Sequence, residues 1–238
     1  MSLKPFHLWG QMFGPNPVKV RILLQELNIP FTDDPLDHSG IKQPEFLAVN
    51  PNGRVPAIYD PNNDITLWES GAIVEYLVEK YDPERKISFE PGSKEAYHAK
   101  QWLHFQATGQ GPYYGQLIWF KFFHSEKLPS AVQRYAAEAK RVTGVLEGHL
   151  EKQAALFPGS DGPWLVGGKY SYADLAWVPW QVEMMLVAAE ANLAADGFDP
   201  EEFPIVKGWI GKMRERKAIG DTAQQFWNRL ASRLPMKG

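Results

Sequence analysis

Asn50-Pro-Asn-Gly-Arg-Val-Pro-Ala-Ile-Tyr-Asp-Pro-Asn-Asn-Asp-Ile-Thr-Leu-Trp-Glu-Ser70 is the stretch of sequence that decides the fold. Residues 50–53 are typical of a turn, and the β-branched and aromatic residues of 55–59 favour a short strand. A second turn leads to a second strand over 65–68. The apolar residues from Val74 onward recur at i, i+3, i+4 and i+7, which predicts a helix that opens at Glu69-Ser70.

Two features of this stretch indicate a ligand site. Val55-Pro56 puts a proline at the start of a strand, where a cis bond costs only about 0.5–1 kcal/mol, so the Val55 backbone could pair with an extended peptide. Glu69-Ser70 stands where a helix begins, so backbone N–H groups and a hydroxyl could hold a carboxylate. The local pattern fits an edge proline and an ordinary N-cap equally well.

Before this stretch, the sequence predicts a strand, a helix and a second strand. Residues 6–9 form the first strand, and Asn16-Pro17 is a helix start with Asn16 as N-cap and proline in the first turn. A weaker strand covers 31–36, and a loop or short helix follows over 37–46. Strand, helix, strand, hairpin and helix is the order of an α/β thioredoxin-like domain, which we place at 1–82.

The rest of the chain predicts a linker and an all-helical domain. Residues 83–93 are polar with proline and glycine, as in a linker, and strand signals vanish over 94–238. The predicted helices are a long aromatic one from about 95 that bends near 109–112, and others near 130–155, 172–195, 204–216 and 222–234. Ser171 and Asp174 form a capping box at the start of a buried helix.

Composition narrows the function classes. At 238 residues, 44% hydrophobic and 22% charged with net charge −3, the chain lacks the basic surplus of a nucleic-acid binder. It has no cysteine, so disulfides, cysteine-ligated metals and a protein thiol nucleophile are excluded. We therefore expect no metal, and any thiol chemistry must use the sulfur of a small molecule. Without a signal-peptide pattern or a membrane-spanning run, a cytoplasmic protein is expected.

The Val-Pro turn followed one hairpin later by a Glu-Ser helix start resembles the glutathione site of cytosolic glutathione transferases. The subgroup it resembles is the fungal nitrogen-regulator type, with the bacterial nu class similar, and the likeness covers nearly the whole chain. Three further segments carry it: Phe13-Gly-Pro-Asn-Pro-Val-Lys-Val20, Trp102-Leu-His-Phe-Gln106 and Phe123-His-Ser-Glu-Lys-Leu-Pro-Ser-Ala-Val-Gln-Arg-Tyr135. The resemblance implies the glutathione transferase fold, glutathione as co-substrate, a homodimer, and activity toward electrophiles, disulfides or hydroperoxides.

The resemblance also assigns roles to individual residues. The Val55 backbone before a cis Pro56 would pair with the cysteinyl unit of glutathione, and Glu69-Ser70 would hold its γ-glutamyl end. Relatives place Tyr, Ser or Cys near the sulfur; this chain has no cysteine and no tyrosine before Tyr59, and Asn16 remains. A hydrogen bond from its amide to a thiolate is worth roughly 1.5–3 kcal/mol, or about one to two pKa units. A plain N-cap is the alternative.

Three basic residues are further candidates for binding the anionic groups of glutathione. Arg54 immediately precedes the Val-Pro turn, and in this subgroup that arginine lies at the site. Lys42 is the candidate for the glycyl carboxylate, with a solvated surface lysine as the alternative. Arg134 would reach glutathione from the partner subunit, or else is an exposed helix arginine.

The chain also departs from the nitrogen regulator. The sequence starts at the first strand without an Asn/Gln-rich extension, its second domain is shorter around 157–163, and its loop at 40–44 is one residue shorter. The first two departures argue against a nitrogen-regulatory role, and the third prevents a direct transfer of the regulator's glycyl-carboxylate contact to this loop. We expect the acceptor pocket between the domains, formed by Trp9, Phe13, Tyr113 and Trp119. The competing hypothesis is a non-catalytic protein of this fold that binds ligands or a regulatory partner.

Overall fold

The structure, a computed structural model, describes residues 2–10, 14–34, 36 and 39–231, without the side chains of 227, 230 and 231. It divides into two units, Met1–Ser88 and Phe89–Gly238. Each unit is described by itself.

The first unit is a four-stranded mixed sheet with helices. Its elements are β1 (Phe6–Trp9), α1 (Pro15–Glu26), β2 (Phe31–Asp34), α2 (Pro44–Val49), β3 (Ala57–Asp60), β4 (Ile65–Trp68) and α3 (Ser70–Tyr81). The strand order is β2-β1-β3-β4, with β1 parallel to β2 and the other pairs antiparallel. This is the thioredoxin-like arrangement that the sequence predicts.

The core of this unit explains why the hairpin stretch decides the fold. Leu8 of β1 and Ile58 of β3 are fully buried and lie opposite each other in the sheet. Ile73 and Leu77 of α3 are also fully buried, one helical turn apart. The strand predicted from 55 begins at Ala57, because Pro56 has no N–H to offer a neighbouring strand.

Asp60, at the end of β3, ties the hairpin to α3. Its carboxylate accepts hydrogen bonds from Tyr76 and Tyr81 of α3 and from the side chains of Asn62 and Asn63 in the turn. Asp60 is fully buried, so these bonds offset the cost of removing its charge from water. The contacts hold α3 against the hairpin and so fix where its first residue lies.

The second unit is helical, as predicted. Its helices are α4 (Lys94–Phe105), α5 (Gly111–Ile118), α6 (Pro129–Leu156), α7 (Tyr172–Ala191), α8 (Pro204–Arg214) and α9 (Lys217–Ala231). Wide π-helical turns at Gln106–Gln110 and Trp119–Phe123 follow α4 and α5. The first of them lies where the bend in the long aromatic helix was predicted.

The predicted capping box is present at the start of α7. Ser171 accepts a hydrogen bond from the N–H of Ala173, and the Asp174 carboxylate accepts from the N–H of Ser171 at 3.0 Å. Asp174 also accepts from the N–H of Leu165 at 2.9 Å and from Nε1 of Trp209 at 3.2 Å. One fully buried carboxylate thus joins a loop, α7 and α8.

Glu183 of α7 makes the stability of the protein depend on pH. It is 8% exposed, its Oε2 has no hydrogen-bond partner among the described residues, and burial raises its pKa to about 8. The folded protein therefore keeps this proton in a range where the unfolded chain has released it. We expect the free energy of unfolding to fall by about 2 kcal/mol from about pH 6 to about pH 8 through this group.

Denaturant titration of Glu183→Gln at the two pH values checks this expectation. The variant should lose this pH-dependent fall, whereas Glu151→Gln, an exposed position on α6, should keep it. If the free energy of unfolding depends equally on pH in the wild type and in both variants, the Glu183 carboxyl does not cause the effect.

Candidate functional site

A cavity of about 270 Å³ lies in the first unit, where three segments meet. They are the start of α1, the loop before β3 and the junction of β4 with α3. The lining residues are Asn16, Asn50, Asn52, Arg54, Val55, Pro56, Glu69 and Ser70. Six of these eight are residues that the sequence predicts for glutathione binding, so the fold brings most of the predicted site together.

Gly10 lets the end of β1 pass close to two of these segments. Its φ is +129°, and a Cβ placed there would lie 2.9 Å from Cγ of Pro17 and 3.0 Å from Cβ of Val55. Those distances are too short for any side chain, so only glycine permits the approach. The start of α1 and the Val-Pro turn are therefore held next to each other.

The role predicted for Asn16 as an N-cap is wrong. The helix begins one residue earlier, with Gly14 as N-cap and Pro15 as its first residue, because Pro15 already has the φ angle that a first helical turn needs. Asn16 is the second residue of α1, and its Oδ1 accepts a hydrogen bond from Nζ of Lys19 at 3.3 Å. It still lines the cavity, with its carbonyl oxygen directed toward a lysine.

The loop before β3 is held by a buried asparagine. Asn50 is 2% exposed; its Oδ1 accepts from the N–H of Asn52 at 3.0 Å, and its Nδ2 donates to the carbonyl of Arg54 at 2.6 Å. The Val55–Pro56 peptide bond is cis. Val55 lies outside β3, and its backbone forms no backbone hydrogen bond with another described residue. An extended peptide could therefore pair with it.

Lys42 lies beside this loop rather than in the cavity lining. Its Nζ donates to the carbonyl of Gly53 at 2.8 Å. Gly53 has φ +59°, and a Cβ there would lie 2.9 Å from that Nζ. Lys42 thus braces the loop that carries Arg54, and its contact with a glycyl carboxylate stays a prediction.

Glu69-Ser70 opens α3 with an unusual backbone. Glu69 is the N-cap residue with φ 70° and ψ 112°, a conformation that costs a non-glycine residue about 1–3 kcal/mol. Such strain is concentrated at binding sites, and Glu69 lines the cavity. The carboxylate of Glu69 is on an exposed residue, whereas Ser70 is 7% exposed. The carboxylate of Glu69 can bind an ammonium group, and the hydroxyl of Ser70 can donate a hydrogen bond to a carboxylate.

Lys19 is the functional candidate that the sequence reasoning missed. It is 1% exposed, and its Nζ donates to Oγ of Ser70 at 3.0 Å as well as to Asn16. Burial lowers the pKa of Lys19 to about 7, and the negative charge of Glu69 acts in the opposite direction. The available signal was helical spacing, since Lys19 lies three residues after Asn16 on the same face of α1.

The other predicted site residues lie elsewhere or are not described. Trp9 is the half-buried last residue of β1, and Phe13 lies outside the described residues. Tyr113 is half-buried in α5, and Trp119 is 50% exposed. Arg134 is exposed on α6 and donates to Glu138 at 2.6 Å, as a surface helix arginine does. The acceptor pocket and the reach of Arg134 stay predictions.

A larger groove of about 500 Å³ lies in the second unit between α4 and α6. Its lining residues are Gln101, Trp102, Phe105, Gly144, Val145, Gly148, His149 and Lys152. None of the predicted acceptor residues is among them.

In residues 2–10, 14–34, 36 and 39–231, no group of three or more His, Cys, Asp or Glu side chains has the arrangement of a metal site. Over the same part of the chain, no helix is long and apolar enough to cross a membrane.

Comparison with known proteins supports the resemblance seen in the sequence. The family model "Glutathione S-transferase, N-terminal domain" matches residues 4–79, and "Glutathione S-transferase, C-terminal domain" matches 112–217. The chain is 55% identical over 218 residues to the glutathione S-transferase-like protein gedE of Aspergillus terreus, covering 92% of this chain and 94% of that protein.

Solved structures of glutathione transferases have the same fold as this chain. The glutathione transferase URE2P6 of Phanerochaete chrysosporium, in complex with oxidized glutathione, superposes with a TM-score of 0.81 at 45% identity, covering 96% of this chain and 97% of that one. A glutathione transferase homologue of Lodderomyces elongisporus, with two GSH per subunit, gives 0.83 at 31% identity, covering 93% and 99%. The chain therefore belongs to the glutathione transferase family and groups with its Ure2-type members.

Proposed function

We propose that this protein is an enzyme that binds glutathione in the cavity of its first unit and holds the sulfur as thiolate beside Asn16. The observation that carries the proposal is the convergence of Asn16, Val55, Glu69 and Ser70 on one cavity. These residues come from separate segments, and each offers the group that a different part of glutathione requires.

The γ-glutamyl end of glutathione fits the start of α3. Its ammonium group is the natural partner of the Glu69 carboxylate, and its carboxylate fits the Ser70 hydroxyl and the positive end of the helix. The cysteinyl unit pairs with the Val55 backbone before the cis proline. Arg54, and Arg134 from a partner subunit of a homodimer, are proposed to add positive charge.

The thiol chemistry rests on Asn16. A thiol in water has a pKa near 8.5, so only a few per cent is thiolate at about pH 7. A hydrogen bond to the charged sulfur is worth roughly 1.5–3 kcal/mol, or about one to two pKa units. The start of α1 adds about 0.3–1 kcal/mol through its dipole. Together these make the thiolate a major species at neutral pH.

The thiolate can attack an electrophilic carbon, a disulfide or a hydroperoxide. For a disulfide, the thiolate displaces one sulfur as a thiolate and forms a mixed disulfide. Because this chain has no cysteine, a second glutathione must then attack the mixed disulfide, which gives oxidized glutathione and a second free thiol. The relatives with oxidized glutathione and with two GSH per subunit favour this route.

Parallel assays of the purified protein test the proposal. Purified protein with glutathione is given hydroxyethyl disulfide in one assay and a chlorodinitrobenzene-type electrophile in the other. We expect turnover in both, with the disulfide reaction faster. Glutathione binding without turnover of any electrophile, disulfide or hydroperoxide would favour the non-catalytic binding protein instead.

A further inference from the structure

Lys19 is a buried amine that contacts the lining of the cavity in the first unit. Its side chain is 1% exposed, yet it belongs to a residue type that is almost never fully buried without a partner. Its Nζ lies 3.0 Å from Oγ of Ser70 and 3.3 Å from Oδ1 of Asn16. Both of these residues line the cavity. A single lysine therefore contacts two of the side chains proposed to bind glutathione.

These contacts determine which way both side chains present their hydrogens. A lysine ammonium has three donors and no acceptor, so the amide atom of Asn16 that it contacts must be the oxygen. The amino group of Asn16 then points away from Lys19. In the same way Oγ of Ser70 accepts from Lys19, so its own hydrogen is directed to another partner.

A ligand with two negative groups needs this arrangement. The thiolate and the γ-glutamyl carboxylate of glutathione are both acceptors, and an Asn16 amide rotated by half a turn would present its oxygen to the sulfur. Two acceptors facing each other repel, and the hydrogen bond that lowers the thiol pKa would be lost. The positive charge of protonated Lys19 acts in the same direction, and because Lys19 is 1% exposed this charge is screened less than one in water.

We propose that Lys19 is a positioning residue that presents Asn16 and Ser70 to glutathione as hydrogen-bond donors and adds positive charge behind them. This inference rests on the proposed function, since its ligand is glutathione. Burial lowers the pKa of Lys19 to about 7, and an anion bound in the cavity would raise it again by favouring the protonated amine.

The competing explanation is that Lys19 fills space in the core of the first unit. Methionine in its place keeps an unbranched apolar side chain but removes the donor and the charge. Arginine keeps both. A space-filling role predicts that methionine replaces lysine better than arginine does, and a positioning role predicts the reverse order.

Glutathione affinity and the thiol pKa in the complex test the proposal in Lys19→Met and Lys19→Arg. We expect Lys19→Met to weaken glutathione binding about tenfold or more and to raise the thiol pKa by about one unit. Lys19→Arg should recover part of both effects. Lys217→Met, which changes a lysine whose side chain is 90% exposed on α9, should match the wild type.

A double-mutant cycle tests whether Lys19 acts on the sulfur of glutathione through Asn16. If Lys19 acts on the sulfur through Asn16, then Lys19→Met adds little to the thiol pKa once Asn16 is alanine.

Wild-type binding and thiol pKa for Lys19→Met, or recovery by methionine and not by arginine, would overturn the proposal. Should Lys19→Met not fold, Lys19→Gln compared with Lys19→Arg decides in the same way. Failure of the wild type to bind glutathione would instead defeat the proposed function itself.

Discussion

Replacing Asn16 by alanine is expected to raise the pKa of bound glutathione thiol by about one to two units. At about pH 7 this lowers kcat/KM for the disulfide and for the electrophile by roughly tenfold to a hundredfold, because the thiolate fraction falls with the pKa. In the proposed complex Asn16 contacts the sulfur and not the γ-glutamyl end, so glutathione affinity should change only a few-fold. The pH profile of kcat/KM and calorimetric binding measure the two effects.

The matched control for this substitution is Asn228→Ala. Asn228 is exposed on α9, where its Oδ1 accepts a hydrogen bond from Gln224, and it belongs to the second unit. Its loss should leave both the pH profile and the affinity unchanged. Activity of Asn16→Ala equal to that of the wild type at every pH would remove Asn16 from the mechanism.

Asp174→Ala is expected to have the largest effect on stability, about 3–5 kcal/mol. The substitution leaves three buried N–H groups without their acceptor, those of Leu165, Ser171 and the Trp209 indole. It also removes one half of the capping box. Since a domain of this size is stable by only about 5–15 kcal/mol, the variant should be close to unfolded at physiological temperature.

Urea unfolding followed by tryptophan fluorescence measures this loss. Asp174→Asn keeps one acceptor oxygen and should lose clearly less than Asp174→Ala. Asp221→Ala removes an exposed partner of Lys217 on α9 and should change stability by about 0.5 kcal/mol or less. A loss below about 1 kcal/mol for Asp174→Ala would mean that other acceptors satisfy the three donors.

The sequence was sufficient for the hairpin, the start of α3 and the capping box because each depends on neighbouring residues. Turn residues at 50–53, the strand at 65–68 and the helix start at Glu69-Ser70 are local signals, and the structure confirms them. The cis Val55–Pro56 bond agrees with the same pattern. Five predicted site residues of that stretch line the cavity, namely 54, 55, 56, 69 and 70, and the resemblance to glutathione transferases is what assigned them to glutathione binding.

The start of α1 shows what local signals leave undecided. Pro15-Asn16-Pro17 offers two prolines that suit a first helical turn, and the sequence alone does not say which one begins the helix. The structure uses Pro15, so Asn16 is inside the helix and bonds to Lys19 instead of capping. Helical spacing relates Lys19 to Asn16, but its contact with Ser70 joins residues that are distant in sequence, and no local rule indicates that contact.

The predicted start of α9 also differs from the observed one. The sequence predicts this helix from about 222, but α9 begins at Lys217 and includes Gly220. A Cβ at Gly220 would lie 2.6 Å from the carbonyl oxygen of Arg214, at the end of α8. The glycine is therefore explained by a close approach between two helices, which only the tertiary structure reveals.

The pKa of the glutathione thiol in its complex with the wild-type protein tests the central claim most directly. Thiolate absorbs in the ultraviolet and neutral thiol does not, so a pH titration of the complex against the free protein gives the value. A pKa of about 7.5 or below is predicted, at least one unit under that of a thiol in water. A bound thiol that titrates near 8.5 or above, with glutathione seated in the cavity, would contradict thiolate stabilisation by this site.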